Sequence, residues 1–189
     1  MSASISKFLS YVLRHSPECI GLALDNQGWA NVAELLEKAT ISGTSLDAAT
    51  LREVVAENEK KRFTLSDDGT RIRAAQGHSI SVDLGRPAIT PPQTLFHGTA
   101  TRFLPPIMEN GLLPGSRQQV HLSADSSTAN AVGQRHGKPV VLLVAAGRMF
   151  ADGHTFFQAD NGVWLTDTVP AIYITLDETN FSADGQEQQ

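Results

Sequence analysis

The chain has 189 residues, with 15 Lys and Arg against 20 Asp and Glu for a net charge of −5, and 41% of it is hydrophobic. That apolar supply suffices for a packed core and the charged fraction is ordinary, which excludes intrinsic disorder and fibrous repeats. No apolar run approaches the roughly 18 to 20 residues that span a bilayer, and the N-terminal residues do not read as a basic and apolar leader. The single Cys19 can neither close an internal disulfide nor build a cysteine zinc site. A soluble cytoplasmic monomer with no membrane partner and no metal is expected. The charge is uneven: residues through Thr90 hold 10 basic and 11 acidic groups and the remainder 5 and 9, which argues against a grip on nucleic acid by bulk charge but leaves room for a local basic site.

In chain order, Ile5, Phe8, Leu9, Val12 and Leu13 recur at helical spacing, and the residue before Pro17 avoids the α region, so a first helix is predicted from Ser4 to His15. Asn31 and Glu34 form a capping box for a second, with Val32, Leu35 and Leu36 on its apolar face. Thr44 or Ser45 is the expected cap of a third, which carries Leu51, Val54 and Val55 and runs to about Glu59. Arg62–Leu65 and Arg71–Ala74 read as strands around the turn Ser66-Asp67-Asp68-Gly69. Three helices and a hairpin outline a winged helix, and residues 1–83 are expected to form that lobe.

Residues 84–93, Leu84 to Gln93, contain three prolines and are the expected linker. Beyond it, strands are predicted at Leu95–His97, Val120–Leu122, Pro139–Ala145, Val163–Leu165 and Ala171–Thr175, with short helices at Pro106–Asn110 and Ser126–Val132. Residues 94–180 are therefore expected to be a small, mainly antiparallel lobe, which makes the whole chain α+β. The polar tail 181–189 is expected to be disordered.

Several groups could carry chemistry. Arg14 and His15 end the first helix, where cations either complement the helix dipole or border a pocket. Lys60-Lys61-Arg62 with Arg71 and Arg73 concentrates cations on the hairpin, either for phosphate, which the arginine fork suits, or as a solvated cluster balanced by Glu57, Glu59, Asp67 and Asp68. Gln76-Gly77-His78-Ser79 follows the second strand, and its glycine would allow close backbone approach to a ligand. In the second lobe His97-Gly98-Thr99, Arg117, His121-Leu122-Ser123 and Gly133-Gln134-Arg135-His136-Gly137 lie where strands meet loops. Trp29 and Trp164 read as core anchors. Rossmann, P-loop, zincin and nucleophile-elbow motifs are absent.

Taken together, Ser6-Lys7-Phe8-Leu9-Ser10-Tyr11-Val12-Leu13-Arg14-His15, Gly28-Trp29, Lys61-Arg62-Phe63, Arg73 through Ser79, Phe96-His97-Gly98-Thr99, Arg117 with Val120-His121-Leu122-Ser123, Arg135-His136-Gly137-Lys138-Pro139 and Val163-Trp164-Leu165-Thr166 resemble the RNA 2′-phosphotransferases, the KptA family. The resemblance spans nearly the whole chain apart from the tail. It implies an N-terminal winged-helix-like RNA lobe and a C-terminal ADP-ribosyltransferase-like lobe that holds NAD as a consumed co-substrate. It also implies the reaction: an internal RNA 2′-phosphate, as left by tRNA splicing, attacks the nicotinamide ribose, and the neighbouring 2″-hydroxyl then attacks phosphorus to release 2′-hydroxyl RNA and ADP-ribose 1″,2″-cyclic phosphate.

By the same resemblance the catalytic set is Arg14, His15, Arg62 and Arg117, with the arginines clamping the phosphate from both lobes and His15 serving transesterification. His97, Gly98, Thr99, His121 and Ser123 are the implied NAD contacts, with Arg135 and Gly137 along the same site. The alternatives are ADP-ribosylation of a terminal nucleic-acid phosphate and a non-catalytic RNA-binding module.

Overall fold

The computed structural model describes residues 2–177. The polar tail expected to be disordered, 181–189, lies outside the described residues. The described chain is α+β, with every strand pair antiparallel. It divides into two compact units. The first takes the chain through Arg86 together with Ser116–Gln118 and Ala159–Asn161; the second holds Pro87–Gly115, Gln119–Gln158 and the described residues from Gly162 onward. Among the described residues no helix is long and apolar enough to cross a membrane.

In the first unit α1 (Ser2–Arg14) buries Ile5, Leu9, Val12 and Leu13 along one stripe and stops ahead of the 3-10 turn Pro17–Ile20. The Asn31 side chain accepts the Glu34 N–H at 3.1 Å and starts α2 (Val32–Ile41). The cap of α3 (Ala48–Ala56) is Asp47, which accepts the Thr50 N–H at 2.7 Å, and not Thr44 or Ser45. Leu46, directly before it, is buried, so the chain has entered the core before the helix begins. β2 (Phe63–Leu65) and β3 (Arg71–Ala74) form the expected hairpin, with Phe63 opposite Ala74.

A strand without any sequence signal joins them. β1 (Ala30–Asn31) pairs with β3 through Ala30 opposite Ile72, giving the order β1-β3-β2. Two residues are too few for an alternating pattern, so only the partner strand reveals it. The core of this unit gathers Leu9, Leu13, Leu35, Leu51, Val54, Phe63 and Ile72.

The second unit holds two three-stranded sheets. One is ordered β4 (Leu95–Ala100), β6 (Pro139–Val144), β9 (Ile174–Leu176), and the other β5 (Val120–Leu122), β8 (Trp164–Thr166), β7 (Phe157–Gln158). They meet at one bridge, Phe96 with Ser123, whose two backbone hydrogen bonds measure 2.9 and 2.7 Å. α4 (Leu104–Asn110) and α5 (Ser126–Gly133) stand close to the expected positions; Asp125 caps α5 by accepting the Thr128 N–H at 2.7 Å. α6 (Ala146–Ala151) was not legible because it continues the apolar run of β6 without a side-chain cap. Residues 171–173 form a 3-10 turn and not the start of a strand.

The expected linker is not a free connection. Leu84 O accepts from Arg73 Nη1 at 3.3 Å within the first unit, and Ile89 N–H donates to Phe156 O at 2.9 Å within the second. Trp164 is buried as expected, but Trp29 is not a simple core anchor. It is half-buried, and the Arg73 and Arg71 guanidinium carbons lie 4.5 and 5.1 Å from its ring centroid. The indole therefore serves as a platform for two cations.

Candidate active site

Arg14 and His15 stand at the C-terminal end of α1. Arg62 opens β2 after a tight turn in which Lys61 adopts φ 41, a left-handed backbone that costs a non-glycine residue roughly 1 to 2 kcal/mol. Asn58 holds that turn: its carbonyl accepts the Lys61 N–H at 2.7 Å, its side-chain oxygen accepts the Arg62 N–H at 3.3 Å, and its amide donates to Ser6 Oγ at 3.3 Å. The Arg62 carbonyl in turn accepts Arg14 Nη2 at 3.4 Å and the Ala75 N–H at 2.8 Å. Arg117 reaches the same place because Ser116–Gln118 packs with the first unit, where the Gln118 N–H donates to His78 O at 3.2 Å. The arginines are thus gathered within the first unit, although Arg117 lies far along the sequence from the other two.

Burial and neighbouring cations dominate the electrostatics of Arg14 and His15. Burial, then Arg62 and Arg117, push the Arg14 guanidinium down to about 10. Burial lowers Arg117, and burial with Arg14 and Arg117 lowers His15 below its ordinary value. No carboxylate stands among the groups that perturb Arg14 or His15. Arg14 Nε is buried without a hydrogen-bond partner. Buried cations that repel one another are stabilised by an incoming anion, and a phosphate dianion offers several acceptor oxygens at once.

Residues without an assigned role in the sequence surround this group. His78 is 2% exposed, and burial followed by Arg14, Arg86, His15 and Arg73 lowers it to about 4, so it is neutral at pH 7. Ser79 Oγ lies 2.9 Å from His15 Nδ1, and the Ser79 N–H donates to Arg14 O at 3.0 Å. Behind them Asp160 accepts the Thr64 hydroxyl at 2.8 Å and faces Arg73 at 3.6 Å and Arg86 at 3.7 Å. Arg71 faces Asp25 at 3.9 Å. Of the hairpin cations, Arg73 is answered by Asp160 and Arg71 by Asp25, and Arg71 also lowers the neighbouring Asp68. Arg86, expected in the linker, keeps its side chain only 10% exposed here and also donates to Ala75 O.

In the second unit His97, Gly98 and Thr99 lie on β4. Gly98 faces α5 so closely that a Cβ there would sit 1.6 Å from Ala129 O. Strand alternation then turns His97 and Thr99 to the opposite face. His97 Nδ1 lies 3.0 Å from His121 O; a carbonyl only accepts, so Nδ1 donates in this bond. Ser123 sits at the bridge between the sheets, and Thr99 is buried. His97, Thr99 and Ser123 are the side chains here that could hold a hydroxyl-rich group such as a ribose. Arg135 is exposed on the 3-10 turn Gln134–His136, and Gly137, with φ 133, approaches the end of β4, its Cβ position 3.6 Å from Ala100 Cβ. Among the described residues no cluster of His, Cys, Asp and Glu could hold a metal ion.

A profile of the family described as RNA 2′-phosphotransferase, Tpt1 / KptA family, matches residues 1–168. The chain belongs to that family. It is 72% identical over 176 residues to a protein of Agrobacterium fabrum, covering 93% of this chain and 95% of that one. It is 58% identical over 170 residues to one of Acaryochloris marina, covering 90% and 94%, and 56% identical over 180 residues to one of Pectobacterium carotovorum, covering 95% and 96%. All three carry the name "Probable RNA 2'-phosphotransferase".

In this RNA 2′-phosphotransferase family member, the polar groups that sequence reasoning left unassigned are Ser79, His78, Arg86 and Asp160. The first two had a signal, a glycine beside polar residues just after a strand. Asp160 had none, since its partners Arg73 and Arg86 are distant in sequence.

Proposed function

We propose that this chain removes an internal RNA 2′-phosphate by transferring it to NAD, through an ADP-ribosylated RNA phosphate, and that its two units are a winged-helix-like RNA unit and an ADP-ribosyltransferase-like NAD unit. The supporting observation is the group of Arg14, Arg62 and Arg117 beside His15, in which burial and the neighbouring arginines lower both Arg14 and His15. Arg14, Arg62 and Arg117 hold the 2′-phosphate; a phosphate dianion is already nucleophilic, so positioning matters more than a general base in the first step. NAD supplies an electrophilic anomeric carbon with nicotinamide as leaving group. His97, Thr99, His121 and Ser123 bind it from β4 and β5, Gly98 keeps α5 tight behind that strand, and Arg135 and Gly137 lie along the same site.

His15 serves the second step. Burial, Arg14 and Arg117 lower its pKa and so favour the neutral ring. It accepts the proton of the 2″-hydroxyl as that oxygen attacks phosphorus, and returns it to the departing RNA 2′-oxygen. The proton balance closes on one side chain, and the arginines stabilise the charge gathered on phosphorus.

The test is incubation with NAD and an RNA oligonucleotide bearing one internal 2′-phosphate, with RNA and nucleotide products followed by mass. Loss of phosphate with equimolar ADP-ribose 1″,2″-cyclic phosphate is expected. Untouched NAD would overturn the reading, and modification confined to terminal phosphates would replace it with ADP-ribosylation of nucleic-acid ends.

A further inference from the structure

We propose that Ser79 is a positioning residue that holds the His15 ring with its proton on Nδ1, so that Nε2 is the atom that carries protons between ribose oxygens. The kinetic part of this inference rests on the function proposed above; the tautomer part does not.

Ser79 is unusually well placed for the task. Its hydroxyl lies 2.9 Å from His15 Nδ1, and its own N–H is fixed to Arg14 O at 3.0 Å. The residue before it, His78, is buried, and its carbonyl receives the N–H of Gln118, the residue after Arg117. Gly77, with φ 87, lets the chain turn into this position. One tripeptide is therefore hydrogen-bonded to Arg14, to His15 and to the neighbour of Arg117. No sequence spacing announces this, because 64 residues separate Ser79 from His15.

The direction of the hydrogen bond follows from what the ring must do. A ring that takes up and releases a proton at Nε2 bears Nδ1–H in both states, and a hydroxyl oxygen can accept from it in both. The bond then persists through the transfer without reorganisation. A carboxylate in the same place would favour the imidazolium, whereas a hydroxyl fixes the ring without that bias. Arg14 on the same helix, Arg117 and His78 are the charged or titratable groups around His15, and replacing Ser79 removes none of them.

The experiment compares wild type, Ser79→Ala and Ser79→Thr in two readouts. Imidazole 15N NMR above the His15 pKa reads the tautomer. We expect Nδ1–H in wild type and Ser79→Thr, and a shift toward Nε2–H in Ser79→Ala. Rapid-quench assays with 2′-phosphorylated RNA and NAD read the two chemical steps separately. In Ser79→Ala nicotinamide release should stay near normal while decay of ADP-ribosylated RNA slows by roughly three- to tenfold, as expected for one hydrogen bond, and threonine should restore it. An unchanged tautomer in Ser79→Ala overturns the inference, whatever the activity. So does a loss that falls equally on both steps, since that marks a general structural defect. If wild type itself releases no nicotinamide, the proposed function fails while the tautomer measurement still decides the role of Ser79.

Discussion

Gly98→Ala is the substitution whose cost can be worked most directly from the structure. Gly98 lies in a regular strand, so its backbone gains nothing from being glycine. The added methyl would stand 1.6 Å from Ala129 O, 2.4 Å from Ala129 C and 3.0 Å from Gly133 N, all backbone atoms of α5 that no rotamer change can move. Real Cβ contacts do not fall below 3.0 Å, so α5 must withdraw by about 1.4 Å. A gap of 0.5 to 1 Å already forfeits roughly a quarter to a half of the dispersion energy of each contact, and overpacking alone costs about 1 to 3 kcal/mol.

We expect a loss of about 3 to 5 kcal/mol in the second unit. At roughly 2 to 4 °C per kcal/mol for a chain of this size, the melting temperature should fall by about 6 to 20 °C. Gly43→Ala is the matched control, with φ 87 and nothing within 4 Å of its Cβ position, so it should lose only the roughly 1 to 2 kcal/mol of left-handed strain. Circular dichroism melts and urea titrations followed by Trp164 fluorescence measure both. If Gly98→Ala proved no less stable than Gly43→Ala, the contact between β4 and α5 would not be as drawn.

Three further outcomes are expected. Arg62→Ala should be nearly inactive toward 2′-phosphorylated RNA with an unchanged circular dichroism spectrum; near-normal turnover would remove Arg62 from the mechanism. His78 is lowered from 6.5 to about 4, so below pH 6.5 the unfolded chain takes up a proton that the folded chain refuses. Stability should therefore be intact above pH 6.5 and fall by about 3 kcal/mol as pH drops to about 4, and urea midpoints of His78→Gln should lack this component. Asp160→Asn leaves Arg73 and Arg86, whose side chains are 14% and 10% exposed, facing each other without a carboxylate. Because Asp160 itself is 36% exposed, a loss of about 2 kcal/mol, between surface and buried pairs, is expected in urea titrations, and an unchanged midpoint would show that the pair is solvent-screened.

Much of this protein follows from local signals. The stripe of Leu9, Val12 and Leu13, the Asn31 cap with Glu34, and the turn at Asp67-Asp68-Gly69 each act over a few residues, so periodicity and caps make them readable before any tertiary contact exists. The motif strings likewise carried the family, and Arg14, His15, Arg62 and Arg117, which they single out, stand close together in the first unit. What the sequence left open depends on contacts between distant segments. β1 exists only because β3 lies beside it, the third helix is capped by Asp47 because Leu46 is already drawn into the core, and Trp29 becomes a platform only when the hairpin lays Arg71 and Arg73 on it. Asp160, 74 residues beyond Arg86, and Ser79, 64 beyond His15, meet these partners only in the folded chain: the desolvation that makes a largely buried arginine need an anion arises once folding has removed the water, and the Ser79 pair with His15 forms only where the chain after β3 returns to the end of α1.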